Sequence, residues 1–116
     1  MRRLVTFGVA LAALASGAAA QRPQANPFSA QLAKLSDLQR RAAMRRAVLD
    51  SRQYCRKVEL VTHRGPYRNL DMWSVRCDRG ADYGAFLGLD GSVQVRPCRD
   101  LAQLKLPPCN LPPRRR

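Results

Sequence analysis

Residues 86–95, which read FLGLDGSVQV, decide the fold class of this 116-residue chain. Asp90-Gly91 separates two short runs of apolar residues, and this dipeptide accepts the positive φ angles that a two-residue hairpin turn requires. The stretch therefore predicts two antiparallel strands, at about 82–89 and 92–97, that are joined at Asp90-Gly91.

The segment that precedes this hairpin has the same character. After Tyr54, β-branched and aromatic residues occur in short runs that Gly, Pro and Asp interrupt, a pattern typical of strands and tight turns. We expect strands at about 56–63 and 71–77. Breaks at Gly65-Pro66 and Arg79-Gly80 make an antiparallel meander of four strands the simplest topology.

The region before the strands is predicted to be helical, because residues 29–52 contain neither Gly nor Pro. Ser36 and Gln39 have the Ser-x-x-Gln spacing of a capping box, in which each side chain bonds to the other residue's backbone. One helix from about residue 29, or two helices that meet at Ser36, both fit the sequence. The apolar face is expected from residues that share one side at helical spacing: Leu35, Leu38, Ala42 and Leu49.

The N-terminus has the pattern of a secretory signal peptide. Arg2 and Arg3 precede an uncharged run, and Ala18-Ala19-Ala20 has the small-x-small pattern that signal peptidase recognises. We expect cleavage after Ala20. A transmembrane anchor is the alternative, but the apolar run is shorter than the roughly 20 residues that a span needs. The mature protein is therefore expected to be exported, to the periplasm or the medium, without a transmembrane span.

Four cysteines follow the predicted signal peptide: Cys55, Cys77, Cys98 and Cys109. They lack the close Cys-x-x-Cys pairs of zinc and redox sites, and an even number in a small exported domain favours two disulfides. Three connectivities are possible in principle. Because Cys55 and Cys77 are equidistant from Pro66, a hairpin that turns there would place them opposite each other. We therefore expect Cys55 to pair with Cys77, and Cys98 with Cys109.

These elements predict an α+β fold, with an N-terminal helix packed on a four-stranded antiparallel meander and two disulfides. A short C-terminal helix is expected from Arg99 to Leu106, where Pro107-Pro108 ends it. The predicted organisation is a signal peptide (1–20), a flexible lead (21–28), a single domain (29–110) and a basic tail (111–116).

Catalytic residues are not predicted. His63 is the single histidine, and its candidate partners are Glu59, on the same face of a strand, and Asp71, across the predicted turn. Acid–base catalysis needs such groups held together in a pocket, whereas exposed residues near a hairpin end have the same pattern. The sequence contains no nucleophile elbow, phosphate loop or His-Glu metal motif.

The remaining carboxylates near glycines, at Asp78, Asp82 and Asp90, are typical of turns. Their spacing does not match a calcium loop, which needs several oxygen ligands and a terminal Glu. We therefore expect neither a metal nor a cofactor. A small periplasmic hydrolase, or an inhibitor of an enzyme, is the alternative function.

Charge is the strongest functional signal in the composition. The chain has 21 Lys and Arg residues against 8 Asp and Glu residues, a formal charge of +13. Loss of residues 1–20 would remove only Arg2 and Arg3, which leaves +11. The candidate anion-binding residues lie in or just after the predicted helix: Arg40, Arg41, Arg45, Arg46 and Arg52.

An arginine-rich surface attracts phosphates, anionic lipid head groups and acidic glycans. Export argues against chromosomal nucleic acid as the partner. The sequence therefore predicts a non-catalytic binding or structural module, whose partner is an anionic envelope lipid or glycan, or another envelope protein. A solvated basic surface with no specific partner is the alternative.

One further pattern is carried by the run Tyr67-Arg-Asn-Leu-Asp-Met-Trp-Ser-Val-Arg-Cys77 and by the Gly80 and Tyr83 that follow it. It resembles a loose group of small exported bacterial proteins of unknown function, which pair a Trp-x-Val-x-Cys strand with a Gly-x-x-Tyr strand. The resemblance covers about residues 55–109. It implies a disulfide-stapled antiparallel sheet in the cell envelope, and it implies no activity.

Overall fold

The structure is a computed structural model, and it describes residues 25–114. The predicted signal peptide, the first four residues of the predicted lead and the last two residues of the chain lie outside this range. The helices are α1 (Pro27–Lys34) and α2 (Asp37–Asp50); the strands are β1 (Val58–Tyr67), β2 (Leu70–Cys77), β3 (Asp82–Gly88) and β4 (Val93–Pro97).

The four strands form one sheet in the order β1-β2-β3-β4, and every neighbouring pair is antiparallel. Short 3-10 helices follow β2 (Asp78–Gly80) and β4 (Cys98–Asp100). The predicted α+β meander is confirmed. The predicted C-terminal helix is a 3-10 turn that is followed by irregular chain.

Of the two helical arrangements, the structure has the one with two helices that meet at Ser36. The side chain of Asn26 accepts hydrogen bonds from the N–H groups of Phe28 and Ser29 and so caps α1. The Ser36 hydroxyl accepts from the Gln39 N–H, and the Gln39 side chain accepts from the Ser36 N–H, both at 3.2 Å. The predicted capping box is confirmed, and it begins α2.

The predicted apolar face of the helix is wrong in part. Leu38 is 79% exposed, and Ala42 is exposed as well. Met44 and Val48, one turn apart, are the residues of α2 that are buried against the sheet. The reason is that α2 has polar residues on most of its sides and no continuous apolar face. Met44 and Val48, four residues apart on one side, therefore decide which side of α2 packs on the sheet.

The turn between β1 and β2 lies later than predicted. Tyr67 pairs with Leu70, so the chain reverses at Arg68-Asn69, where Arg68 has a φ of 54°. Gly65-Pro66 lies instead within β1, beside an irregularity in the register. Gly65 has a φ of 120°, a conformation that glycine adopts without the strain of a side chain.

The hairpin between β3 and β4 lies at Asp90-Gly91, as predicted, but its loop is longer than two residues. The Gly88 N–H donates to the Ser92 carbonyl at 2.8 Å, and the Gly91 N–H donates to the Gly88 carbonyl at 3.1 Å. Gly91 has a φ of 84°. This is a turn with a glycine bulge, the next most common hairpin geometry.

Both predicted disulfides are confirmed: Cys55–Cys77 has a Cα–Cα distance of 5.6 Å, and Cys98–Cys109 one of 5.8 Å. The first pairing does not follow from a turn at Pro66, because the turn lies further along the chain. Two shifts of register within β1 compensate, so that Val58 pairs with Cys77 and brings Cys55 within reach.

The sheet buries side chains on both faces. On the helix face, alternate residues of β2, including Trp73, Val75 and Cys77, pack under α1 and α2. On the opposite face, Met72 and Phe86 pack against the chain that follows β4. We call residues 98–114, which cover this second face, the C-terminal strap.

The C-terminal strap stays on the sheet beyond the predicted domain boundary at residue 110. Leu111 packs against the second core. The guanidinium of Arg114 donates to the Cys77 carbonyl at 2.9 Å and to Asp82 at 2.8 Å. The packed chain therefore reaches Arg114, which lies within the predicted basic tail.

Candidate functional sites

A buried polar cluster joins α1 to the sheet. The Ser29 hydroxyl donates a hydrogen bond to the carboxylate of Asp71, and the indole N–H of Trp73 donates to Ser29 Oγ at 2.9 Å. His63 Nε2 donates to Asp71 Oδ2 at 2.7 Å. Asp71 is only 9% exposed, and two donors satisfy a carboxylate that would be costly to bury alone.

The geometry of this cluster is not that of a nucleophilic enzyme. In a serine hydrolase the hydroxyl donates to an imidazole, which a carboxylate orients from its other side. Here the Ser29 hydroxyl donates directly to Asp71, and its oxygen accepts from Trp73. The ring of His63 lies against Trp73, with 4.6 Å between centroids. The arrangement joins α1 to the sheet.

The sequence suggested part of this cluster. The structure joins His63 to Asp71, one of its two candidate partners. The other candidate, Glu59, is exposed at the first register shift of β1, and no described hydrogen bond joins it to His63. Ser29 and Trp73 were missed because they lie 44 residues apart in the chain. The available signal was Asp71, a carboxylate at an inward position of the strand that contains Trp73.

The first predicted anion-binding residue, Arg40, contributes to the fold. Its guanidinium donates to three carbonyl groups at the end of α1: Leu32 at 3.0 Å, Ala33 at 2.9 Å and Leu35 at 2.8 Å. A cation at a helix C-terminus satisfies carbonyl groups that lack partners in the helix and interacts favourably with its dipole. Arg40 therefore holds the junction between α1 and α2.

Three other predicted anion-binding residues also have internal partners. Arg41 pairs with Asp37 at 2.8 Å, and Arg46 pairs with Asp50 at 3.2 Å, each one helical turn away. Arg45 Nε donates to the backbone carbonyl groups of Cys55 and Arg56. Arg52, the fifth, is exposed after the end of α2; its backbone N–H donates to the Leu49 carbonyl at 3.0 Å, and within residues 25–114 its guanidinium has no described hydrogen-bond or ion-pair partner. The five residues thus do not form one patch of unengaged cations.

A different group of cations lies at the end of the sheet where β2 finishes. We define the basic end as the exposed loop residues Arg52, Tyr54, Lys57, Arg79 and Arg99. Tyr54 is 67% exposed in their midst. Gln53, beside Arg52, and Arg99 line the same cavity of about 180 Å³, together with Tyr83. The loop before β1 and the chain after β4 therefore lie next to each other around this cavity.

The basic end has a rigid frame. Asp78 accepts from the Arg56 guanidinium at 2.7 Å and from the Lys57 N–H at 3.1 Å. Burial raises the pKa of Asp78, but the hydrogen bond and charge of Arg56, the Lys57 N–H and the charge of Arg79 together lower it below its ordinary value. Asp78 therefore stays ionised, and its bonds tie the chain before β1 to the turn after β2.

Tyr83 fixes the other side of this frame. Its hydroxyl donates to the Tyr54 carbonyl at 2.7 Å. Burial raises the pKa of the Tyr83 hydroxyl, against the opposing effects of the Arg99 charge and the bond to Tyr54. The Cys55–Cys77 disulfide joins the chain before β1 to the end of β2. The cations of the basic end are thus mounted on backbone that is held by covalent and polar contacts.

A second cavity, of about 280 Å³, is apolar and open, and it lies between the two helices and β4. Its lining is Phe28, Gln31, Leu32, Leu35, Ala43, Met44, Ala47, Leu87 and Val93. Phe28 and Val93 are both more than a third exposed at its mouth. We call this cavity the apolar groove.

Within residues 25–114, no three His, Cys, Asp or Glu side chains lie close enough together to bind a metal ion. No helix in the same range has the length and apolar character needed to cross a membrane. Comparison of the chain with known proteins finds no relative: no protein-family model, curated protein or solved structure matches it. The resemblance to small exported bacterial proteins therefore stays a prediction.

Proposed function

We propose that this chain is an exported, non-catalytic binding module that attaches to phosphate-bearing envelope lipids through the basic end. The observation that carries the proposal is the set of four cations on fixed loops: Arg52, Lys57, Arg79 and Arg99. Across residues 25–114 the chain has 16 Lys and Arg residues against 8 Asp and Glu residues, so an anionic partner is favoured at long range as well.

Half of the acidic residues of the described chain pair with arginines outside this set of four, which leaves these cations available. Asp37, Asp50, Asp78 and Asp82 each pair with an arginine. Arg99 has only a long contact, 3.8 Å, with the neighbouring Asp100. Ordered loops lower the entropy that is lost on binding, so several such cations act together on a surface of phosphate groups.

Export supports the same proposal. Two disulfides are characteristic of proteins in oxidising compartments, and the chain begins with the pattern of a signal peptide. In the periplasm or outside the cell, lipid head groups and acidic glycans are the abundant polyanions. The exposed side chain of Tyr54 suits a site at a membrane interface, where aromatic rings commonly lie.

The test is binding to vesicles of phosphatidylcholine with and without phosphatidylglycerol, in rising salt. We expect retention only on the anionic vesicles, falling steeply with salt. The variant Arg52→Glu, Lys57→Glu, Arg79→Glu, Arg99→Glu should lose at least about tenfold in affinity, since each lost contact near an anionic surface contributes about 1 kcal/mol.

The matched control reverses four exposed cations elsewhere: Lys34→Glu, Arg64→Glu, Arg96→Glu and Lys105→Glu. It produces the same change of net charge and should retain more of the binding. Equal losses in the two variants would show that net charge alone is responsible and would contradict a site at the basic end. Equal retention on neutral vesicles would contradict the proposal as a whole.

A further inference from the structure

The edge of the sheet that β4 forms lies beside the apolar groove. The sheet ends at β4, so no strand of residues 25–114 pairs with its outer side. The Gly88 N–H donates to the Ser92 carbonyl, and hydrogen-bonded pairs then alternate along the ladder, so Gln94 and Arg96 bond toward β3. Val93 and Val95 therefore turn their N–H and carbonyl groups outward.

The side chains of the same two residues lie on the helix side of the sheet. Val95 is buried in the helix-face core, and Val93 lines the apolar groove. The groove extends from this edge to Ala43 and Ala47 of α2, whose small side chains leave space above the sheet. A strand added beside β4 would thus find free backbone groups at its edge and an apolar space for every second side chain.

We propose that β4 receives an extended segment of a partner protein, which adds as a fifth strand and places alternate apolar side chains in the apolar groove. Strand addition of this kind takes its affinity from main-chain hydrogen bonds and its specificity from pockets for alternate side chains. Pro97 has no N–H and ends β4. The paired segment is therefore about five residues long, the length of β4 itself.

Charge selects the chemistry of that segment. Arg96 is the one charged residue of β4, and it lies with Gln94 on the side away from the helices. Acidic residues at the outward positions of the added strand would lie beside Arg96, an arrangement that favours cross-strand pairing. A second copy would bring like charges together at this edge.

The experiment uses a capped ten-residue peptide that alternates valine and glutamate, added to the disulfide-intact protein. Amide hydrogen exchange is followed at each residue of β4. We expect protection of the Val93 and Val95 amides to rise at least about tenfold, because N–H groups that were free become hydrogen-bonded. A peptide of the same composition in two blocks, and one that alternates valine and lysine, should give much less protection.

Two variants test the site from its two sides. Val93→Pro removes an outward N–H and leaves the bonds to β3, since proline is tolerated at the first residue of an edge strand. Ala43→Arg fills the apolar groove, and Ala42→Arg, on the exposed side of α2, is its matched control. The added protection should disappear in Val93→Pro, where it is measured at Val95 alone, and in Ala43→Arg, and it should persist in Ala42→Arg.

Three outcomes would overturn the proposal. The first is an absence of added protection at saturating peptide. The second is equal protection by the glutamate and lysine peptides. The third is protection of Val93 and Val95 without peptide that increases with protein concentration, which would assign the edge to a second copy of the chain. These measurements do not depend on vesicle binding at the basic end. A negative result here would therefore leave the proposed function untouched, and the reverse also holds.

Discussion

The two faces of the sheet are covered in different ways. On one face α1 and α2 satisfy their own backbone groups, and they need only place side chains such as Leu32, Met44 and Val48 on the sheet. On the other face the C-terminal strap forms turns of its own only as far as Leu106, and the chain after that is irregular and takes partners from the sheet. Ser74, for example, donates to the Cys109 carbonyl at 2.7 Å.

This difference shows what an irregular cover requires. The second core is small, built on Met72, Phe86, Leu101 and Cys109, and apolar contact alone fixes little of the strap. A disulfide, a buried serine and the Arg114 guanidinium supply the additional constraints. The helix face also has polar contacts with the rest of the fold, at Asn26, at the Ser29 cluster and at Arg45, but there they add to the packing of two regular helices.

The largest effect is expected from removing the disulfide of the strap. Cys98→Ser with Cys109→Ser should lower the free energy of unfolding by about 2–4 kcal/mol, because the unfolded chain regains the entropy of a closed loop. Amides of residues 98–114 should then exchange rapidly while those of β2 and β3 stay protected. Residue-resolved hydrogen exchange, together with urea unfolding, measures both effects.

The comparison is Cys55→Ser with Cys77→Ser, which should reduce stability by a similar amount without freeing the strap selectively. If the first variant instead exposes all strands together, the two faces fold as one unit. The proposed difference between the helices, which need no disulfide to stay on the sheet, and the C-terminal strap, which does, would then be contradicted.

An intermediate effect is expected from the two buried serines, one under each cover. Ser29→Ala leaves the Trp73 N–H without its acceptor and removes one of the two donors to the Asp71 carboxylate. Ser74→Ala leaves only the Cys109 carbonyl without its side-chain donor. Each should cost about 1–3 kcal/mol, and Ser29→Ala should cost more because its acceptor is charged. Urea unfolding of both variants would contradict this order if Ser74→Ala were the more destabilised.

The smallest effect concerns pH, at the turn after β2 where the two covers meet. Asp78 has a pKa below its ordinary value of 3.8 when folded, so it contributes stability above that pH. This contribution is lost as the pH falls through the folded pKa. The difference in stability between the wild type and Asp78→Asn should therefore shrink on acidification below about pH 4. A difference that stays constant down to pH 2 would contradict the role of the Asp78 charge.

Local chemistry accounts for the parts of the fold that the sequence predicts. Asp90-Gly91 and the Ser36–Gln39 box act within a few residues, so their turn and helix start could be located directly. The orientation of α2 could not, because it depends on which of several weakly apolar sides meets the sheet. The turn at Arg68-Asn69 has no glycine or proline to mark it.

The candidate sites were predictable to a smaller extent. Basic character and the His63–Asp71 contact follow from composition and from strand pairing. The partners of Arg40 and Arg45 are backbone carbonyl groups, which no side-chain pattern indicates. The basic end gathers residues from three separate loops, and only the fold brings these together.

Both disulfides join cysteines that follow one another along the chain, the first with the second and the third with the fourth. A chain that enters an oxidising compartment from its N-terminus presents Cys55 and Cys77 before Cys98 has emerged. An oxidant that simply joins cysteines in their order of arrival would therefore produce the native connectivity. For a chain exported in this way, we expect a thiol oxidase to suffice and a disulfide isomerase to add little, because an isomerase exchanges bridges formed out of order.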